Sequence, residues 1–277
     1  MKNGIYLVAT PIGNIGDITL RALEVLKNAA VIACEDTRVT KKLFSLLGLS
    51  SHDKTFVVMH DHNEGEAAQK IIDLASSGNI VAYVSDAGSP LISDPGYKLA
   101  HLCREQNVYL TTIPGPCAAV CGLQLSGLPT DKFLFAGFIP NKDKARREAL
   151  EKYKDVAATL IFYETANRLL KTLTTAAEVF AGRELSVARE ITKLYEECRS
   201  GTATQLIEYY TANPPKGEIV LMIAPPSADT SLVNYREELA AAMRNASLKT
   251  AVKDIAGKYG LNKNEVYQTA LELKNEL

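Results

Sequence analysis

Ile5-Tyr6-Leu7-Val8-Ala9-Thr10-Pro11-Ile12-Gly13-Asn14 opens the chain with an uncharged, β-favouring run that breaks off into a Thr-Pro-Ile-Gly-Asn loop. The unit recurs. Apolar runs at 30–34, 56–59, 80–84 and 108–113 each end in a polar or turn-rich loop, and helical patterns at 18–28, 38–47, 66–76 and 97–106 lie between them. Spacings such as Leu20, Leu23, Leu26 and Ile71, Ile72, Ala75 put the apolar residues of those helices on one face, and Gly48, Gly78 and Asn107 stand where C-terminal stops belong. Continuous apolar strands alternating with amphipathic helices specify a parallel sheet covered on both faces. In such sheets a ligand lies beyond the carboxyl ends of the strands. Chemistry is therefore sought in four loops: Thr10-Pro11-Ile12-Gly13-Asn14, Glu35-Asp36-Thr37-Arg38, Ser85-Asp86-Ala87-Gly88-Ser89-Pro90 and Pro114-Gly115-Pro116.

A helix over 117–125 leads out of this first α/β domain (1–116). A second α/β domain (117–226) follows, with strands at 133–138, 159–163, 185–188, 194–199 and 218–223 and helices at 145–153, 169–180 and 203–210. The strands at 185–188 and 194–199 are too close for a helical crossover, so they pair antiparallel and make this second sheet mixed. Residues 225–231, rich in Pro, Ser and Asp, read as a linker. The remainder (232–277) is all helical, at 232–243, 248–259 and 264–273. Ala256, Gly260 and Val266 have the spacing of a helix-turn-helix.

Composition narrows the function classes. The 277 residues hold 31 Lys+Arg against 32 Asp+Glu, a formal charge of −1, so any anionic partner must be met by a local patch. No apolar string approaches the roughly 20 residues of a membrane span. The first residues do not form a secretory signal, and the chain reads as cytosolic. Five cysteines, Cys34, Cys103, Cys117, Cys121 and Cys198, form no C-x-x-C pair and indicate neither a disulfide framework nor a zinc site. His60-x-His62 lacks a spaced third ligand, so no metal is expected.

The two phosphate fingerprints, G-x-G-x-x-G and G-x-x-x-x-G-K-[ST], are missing, which disfavours Rossmann and P-loop enzymes. Gly13-x-x-Gly16-Asp17 also suits a plain strand-to-helix turn with Asp17 as N-cap. Glu35, Asp36 and Arg38 could form a general base and substrate clamp, or Asp36 could simply cap the helix after it. Asp86 could orient a ligand amine or hydroxyl, or close an Asx-turn. Lys193 lies in a charged hairpin (Arg189-Glu190-Ile191-Thr192-Lys193), where it could lower the pKa of a hydroxyl or merely solvate a strand edge. The stretch 142–154 carries six basic residues (Lys142, Lys144, Arg146, Arg147, Lys152, Lys154) against three acidic ones (Asp143, Glu148, Glu151), the strongest local positive patch. Residues 232–277 hold seven basic and six acidic residues, and are not electrostatically committed to nucleic acid.

Five motifs, in this order and spacing, resemble the ribosomal RNA small subunit methyltransferase I family of the tetrapyrrole methylase superfamily. They are 5–14 as quoted, Glu35-Asp36-Thr37-Arg38, 85–90, Ile113-Pro114-Gly115-Pro116 and Phe162-Tyr163-Glu164. The resemblance spans essentially the whole chain. It implies two α/β domains with a helix-turn-helix appendage, a homodimer, no metal, and an S-adenosylmethionine-dependent enzyme that methylates the ribose 2'-hydroxyl of one cytidine in the decoding region of 16S rRNA. Cofactor contacts are implied at Pro11, Ile12 and Gly13, at Asp86 and Ser89, at Cys117 and Ala118, and at Glu164, Gly201, Ala224 and Pro225. Glu35, Asp36 and Lys193 are the candidates for removing or orienting the hydroxyl proton. Arg38 would clamp a phosphate or carboxylate, and Lys142, Lys144, Arg146 and Arg147 would engage RNA. Where most of the superfamily has a G-x-G-P-G type first loop, this chain reads Ala9-Thr10-Pro11-Ile12-Gly13, which fits the RNA branch. Another superfamily methylase, acting on a tetrapyrrole or a protein side chain, is the alternative. A ligand-sensing regulator that reads DNA is a further one, for which Leu261, Asn262, Lys263 and Asn264 are poorly suited.

Overall fold

The computed structural model describes residues 1–226, 235–259 and 263–276. The linker expected at 225–231 from residue 227 on, the first residues of the helix expected at 232–243, and the turn at Gly260, Leu261 and Asn262 lie outside the described residues.

The first sheet contains β1 (Gly4–Val8), β2 (Val31–Cys34), β3 (Thr55–Val58), β4 (Ile80–Val84) and β5 (Leu110–Ile113), all parallel, in the order β3-β2-β4-β1-β5. Its central strands are buried on both sides, as their unbroken apolar runs require. On one face α1 (Leu20–Asn28) and α2 (Thr37–Leu46) pack Ala22, Val25, Leu26 and Phe44. On the other α3 (Glu64–Ser76) and α4 (Tyr97–Glu105) pack Ala68, Ile71, Ile72 and Leu99. From β1 the chain winds toward β3, and from β4 it winds the opposite way toward β5. The loops after β1 and β4 therefore part above neighbouring strands and leave a crevice.

The start of α1 differs from the sequence reading. Asp17 lies inside a short 3-10 turn (Ile15–Asp17) capped by Asn14. Thr19 caps α1 instead, its Oγ1 accepting from the Ala22 amide at 3.1 Å.

Helix α5 (Ala118–Ser126) leads to the second sheet, which is built from β6 (Phe133–Phe138), β7 (Thr159–Thr165), β8 (Leu185–Arg189), β9 (Glu197–Gly201) and β10 (Glu218–Ile223). Its order is β6-β7-β10-β8-β9; β6 and β7 are parallel, and the other neighbours are antiparallel. Helices α6 (Asp143–Glu151), α7 (Leu169–Val179) and α8 (Ala203–Ala212) complete the layer. Strands β8 and β9 pair antiparallel as their short separation requires, but β9 begins at Glu197 rather than 194. Residues 190–196 fold into a tight loop instead, with Glu190 and Thr192 at φ 50° and 67° and the Thr192 amide donating to Glu196 at 2.6 Å.

Residues 1–154 with 158–224 form one compact unit holding both sheets; 155–157 with 225–277 form another. The latter contains α9 (Tyr235–Asn245), α10 (Leu248–Tyr259) and α11 (Lys263–Glu276) around Leu239, Val252, Ile255 and Val266.

Candidate functional site

A cavity of about 400 Å³ opens at the crevice of the first sheet, within the size range of small-molecule sites. Backbone lacing builds its floor. The Thr10 amide donates to the Gly88 carbonyl at 2.8 Å and the Gly88 amide returns to Thr10 at 3.1 Å, so the first and fourth loops are stitched together. Ser89 Oγ donates to the Pro116 carbonyl at 3.0 Å and ties in the fifth strand's loop. Gly88 is required in this lacing, because it sits at φ +83° and a Cβ there would lie 3.3 Å from Ile12 Cγ2. The opposite wall comes from the second sheet: Tyr163 to Thr165 at the end of β7, Ile191 after β8, and Gly217 to Val220 at the start of β10. Cys117 and Ala118 bring the start of α5 to the edge, where no side chain caps the helix.

The electrostatics are one-sided. Burial pushes Glu35 up to about 7, with the charges of Asp94 and Asp86 adding to the rise and the Asp86 amide, 3.4 Å from Oε1, only partly offsetting it. Asp94, in the cavity wall, is pushed up to about 6, mainly by burial and against a hydrogen bond from Ser85. Burial raises Asp86 as well. Among the described residues none of these three forms an ion pair with lysine or arginine, so the cavity favours a ligand carrying positive charge.

The structure gathers Ile12, Asp86, Ser89, Cys117, Ala118 and Glu164 of the sequence candidates around this cavity. Glu164 is present through its backbone. Its carboxylate is buried, accepting from Thr172 Oγ1 at 2.5 Å and pairing with Arg168 at 3.2 Å. Pro11 and Gly13 flank Ile12 but do not line the cavity. Gly13 is a close-approach position, since a Cβ there would meet Lys193 Cγ at 2.5 Å.

Gly201 and Ala224 lie apart from this cavity. Strand β10 runs antiparallel to β7 and β8, so its start, not its end, faces the cavity. Ile219 pairs with Glu164 and Arg189, whereas Ile223 pairs with Leu160 and Leu185, and Gly201 pairs with Leu185 at that same far end. Four residues of strand put that end roughly 13 Å away. Pro225 belongs to the second compact unit.

The four residues given chemical roles separate too. Asp36 is the N-cap of α2, accepting from the Arg38 amide at 2.7 Å and bonded to the Arg38 guanidinium. That hydrogen bonding holds its carboxyl down at about 2. Arg38 is correspondingly committed to Asp36. Lys193 Nζ lies 2.9 Å from both Glu190 and Glu218. Burial alone would lower its pKa, but the two hydrogen-bonded carboxylates outweigh that and raise it, which favours its charged form. Only Glu35 retains the protonation behaviour of a general base. Of the basic patch, Arg146 is turned inward, 2% exposed, bonded to Thr175, the Asn141 carbonyl and Asp143, and so not available to phosphate. Arg147 pairs with Glu178, and Lys144 lies 3.8 Å from Glu148. His60 and His62 meet ring to ring at 6.0 Å, and among the described residues no group of three ligating side chains is arranged to hold a metal.

Sequence reasoning missed Asp94, Ile92 and Phe138. The first two lie in a loop whose left-handed Leu91 and Ser93 carry no glycine signal, and Phe138 is brought in by a strand irregularity at Gly137.

The profile of the tetrapyrrole (corrin/porphyrin) methylases matches residues 4–207, and that of the RsmI C-terminal HTH domain matches residues 235–274. The ribosomal RNA small subunit methyltransferase I of Erythrobacter litoralis is 53% identical over 275 residues, 99% of this chain and 96% of that one. The protein of the same name from Rickettsia prowazekii is 41% identical over 278 residues, covering 99% and 98%. Among solved structures, the methyltransferase CobJ superposes with a TM-score of 0.60 at 16% identity, over 80% of this chain and 94% of that one. Diphthine synthase gives 0.61 at 14% identity, over 79% and 89%, a likeness of fold alone. With relatives this similar along nearly its full length, the chain belongs to the ribosomal RNA small subunit methyltransferase I family, a branch of the tetrapyrrole methylases.

Proposed function

We propose that this chain uses S-adenosylmethionine to methylate the ribose 2'-hydroxyl of one cytidine in the decoding region of 16S rRNA, working in the cytoplasm as a homodimer. The observation that carries the reading is the acid-walled cavity laced together at the crevice of the first sheet. Its donor set suits the cofactor. Ile12, Ile219 and Val220 offer apolar surface to a purine, Gly88 admits close approach, the start of α5 at Cys117 and Ala118 offers amides to a carboxylate, and Asp86 and Asp94 face positive charge. When bound, the cofactor would supply a methyl group activated by the positive sulfonium sulfur that carries it.

The protein's own tasks are then positioning and proton removal. Two carboxylates have the protonation range to accept the hydroxyl proton near neutrality: Asp94 in the wall, and Glu35 one hydrogen bond behind it at the Asp86 amide. With Arg146 turned inward, Lys142, Lys144 and Arg147, on and beside α6, are the RNA candidates left to meet phosphates. Among the described residues no helix is long and apolar enough to cross a membrane.

The test is transfer of labelled methyl from S-adenosylmethionine to unmodified small ribosomal subunits, naked 16S rRNA and a tetrapyrrole precursor, followed by nuclease mapping. Label on a single cytidine ribose is expected. Label on the tetrapyrrole alone, or none on RNA while the cofactor binds, would replace the acceptor in this reading.

A further inference from the structure

One feature of the cavity wall is built at a cost. Along β6 and β7 the parallel register runs Phe133–Thr159, Leu134–Leu160, Phe135–Ile161 and then jumps to Phe138–Tyr163, so β6 spends three residues where β7 spends two. The extra residue is absorbed at Gly137, which takes φ +67°. In an unbroken strand Phe135 and Phe138 would point to opposite faces. The bulge puts both rings against Tyr163, at centroid distances of 4.8 and 5.5 Å.

The result is an aromatic ring at the mouth of the cavity that remains 58% exposed. It is held there firmly. Tyr163 is fixed by the hydrogen bond from the Ala119 amide at 3.3 Å, and the Arg168 guanidinium donates to the carbonyl of Ile139, the residue after Phe138. Arg168 is itself paired with the buried Glu164, which gives that carboxylate a positioning task at the cavity edge. In the first sheet's loop Ile92, 43% exposed, also lines the cavity, between the left-handed Leu91 and Ser93. That loop is anchored by Tyr83 donating to the Pro95 carbonyl at 2.6 Å and by the Gly96 amide donating to Glu64 at 2.9 Å. Two exposed apolar groups on braced backbones thus border the cavity whose depth the cofactor would fill.

The geometry points to Phe138, backed by Tyr163 and aided by Ile92, as a stacking platform for the target nucleobase, holding it while its ribose hydroxyl reaches the cavity. The assignment rests on the RNA reading above. An aromatic ring this exposed, held at 65° to Tyr163, offers an unstacked base a surface to stack on and tolerates any base, so the platform supplies grip rather than sequence choice. The surface continues the cavity wall, so a base resting on it would carry its own sugar to the acid-walled side.

The chain contains no tryptophan, so F138W introduces a single reporter at the platform. The full-length variant is titrated separately with S-adenosylhomocysteine and with a short single-stranded RNA containing cytidine, and its fluorescence is read. Quenching by the RNA, in the absence or presence of S-adenosylhomocysteine, is expected. Quenching by S-adenosylhomocysteine alone would assign the ring to the cofactor's adenine and overturn the proposal, as would quenching by neither. In steady-state transfer to small subunits, F138A is expected to raise KM for the subunit by about 5- to 150-fold, the loss of one base–aromatic stack, while F138Y holds it near wild type and cofactor Kd is unchanged in both. An unchanged subunit KM in F138A overturns the platform. Wild-type protein that transfers no methyl group to RNA overturns the RNA reading instead, and the fluorescence titration decides the platform on binding alone.

Discussion

Glu35 and Asp36 are neighbours in sequence with opposite fates. Asp36 spends both oxygens on Arg38 and the first amides of α2, and its carboxyl is held down at about 2. Glu35 points away from those donors into a half-buried, negatively charged corner and is pushed up to about 7. Because its folded pKa lies above the unfolded value, its ionisation costs stability as pH rises from about 4.5 through 7. E35Q is therefore expected to melt at a higher temperature than wild type at pH 8 and at the same temperature below pH 4, a comparison thermal unfolding at several pH values settles. The sign reverses for Asp36. D36A should melt lower than wild type at pH 5 to 8, with the deficit disappearing as pH falls toward 2, while cofactor affinity is retained. In the transfer reaction the wild-type rate should rise with pH between about 6 and 7, the range of Asp94 and Glu35, and D94N should lower kcat by about 100-fold or more.

At the scale of elements, α6 shows why a charge count is not a binding surface. Its basic residues spiral, so one of them must face inward, and Arg146 does, turned toward α7 and satisfied by Thr175, the Asn141 carbonyl and Asp143. Replacing it by Gln should cost about 2–3 kcal/mol of stability through lost hydrogen bonds and leave the salt dependence of RNA binding unchanged. The double change K142Q/K144Q should do the reverse, keeping the melting temperature and reducing the slope of log K against log salt by roughly 1.4 to 1.8. Legibility divides along similar lines. The first sheet could be read from Ile5 to Ala9 and its repeats because strands buried on both faces leave continuous apolar runs, and the loop containing Asp86 followed from where such sheets bind ligands. The direction of β10 could not, because a strand's sense depends on which neighbours it finds. Nor could the bulge at Gly137, where the sequence Phe135-Ala136-Gly137-Phe138 does not reveal which ring will be redirected.

For the whole molecule, every residue lining the cavity belongs to the unit that contains both sheets, and the three C-terminal helices enclose a core of their own. Deleting residues 227–277 should therefore leave S-adenosylmethionine affinity within about twofold of wild type, measurable by calorimetry. The first sheet carries a further consequence for synthesis. Strand β1 is made first, yet its two partners are β4 and β5, with Gly4 opposite Ile80 and Val8 opposite Ile113. At elongation rates of about 5–20 residues per second, the nascent segment waits several seconds before either neighbour emerges. Throughout that interval an apolar strand without a partner hangs from the translating ribosome, and shielding it falls to whatever chaperone stands at the exit port.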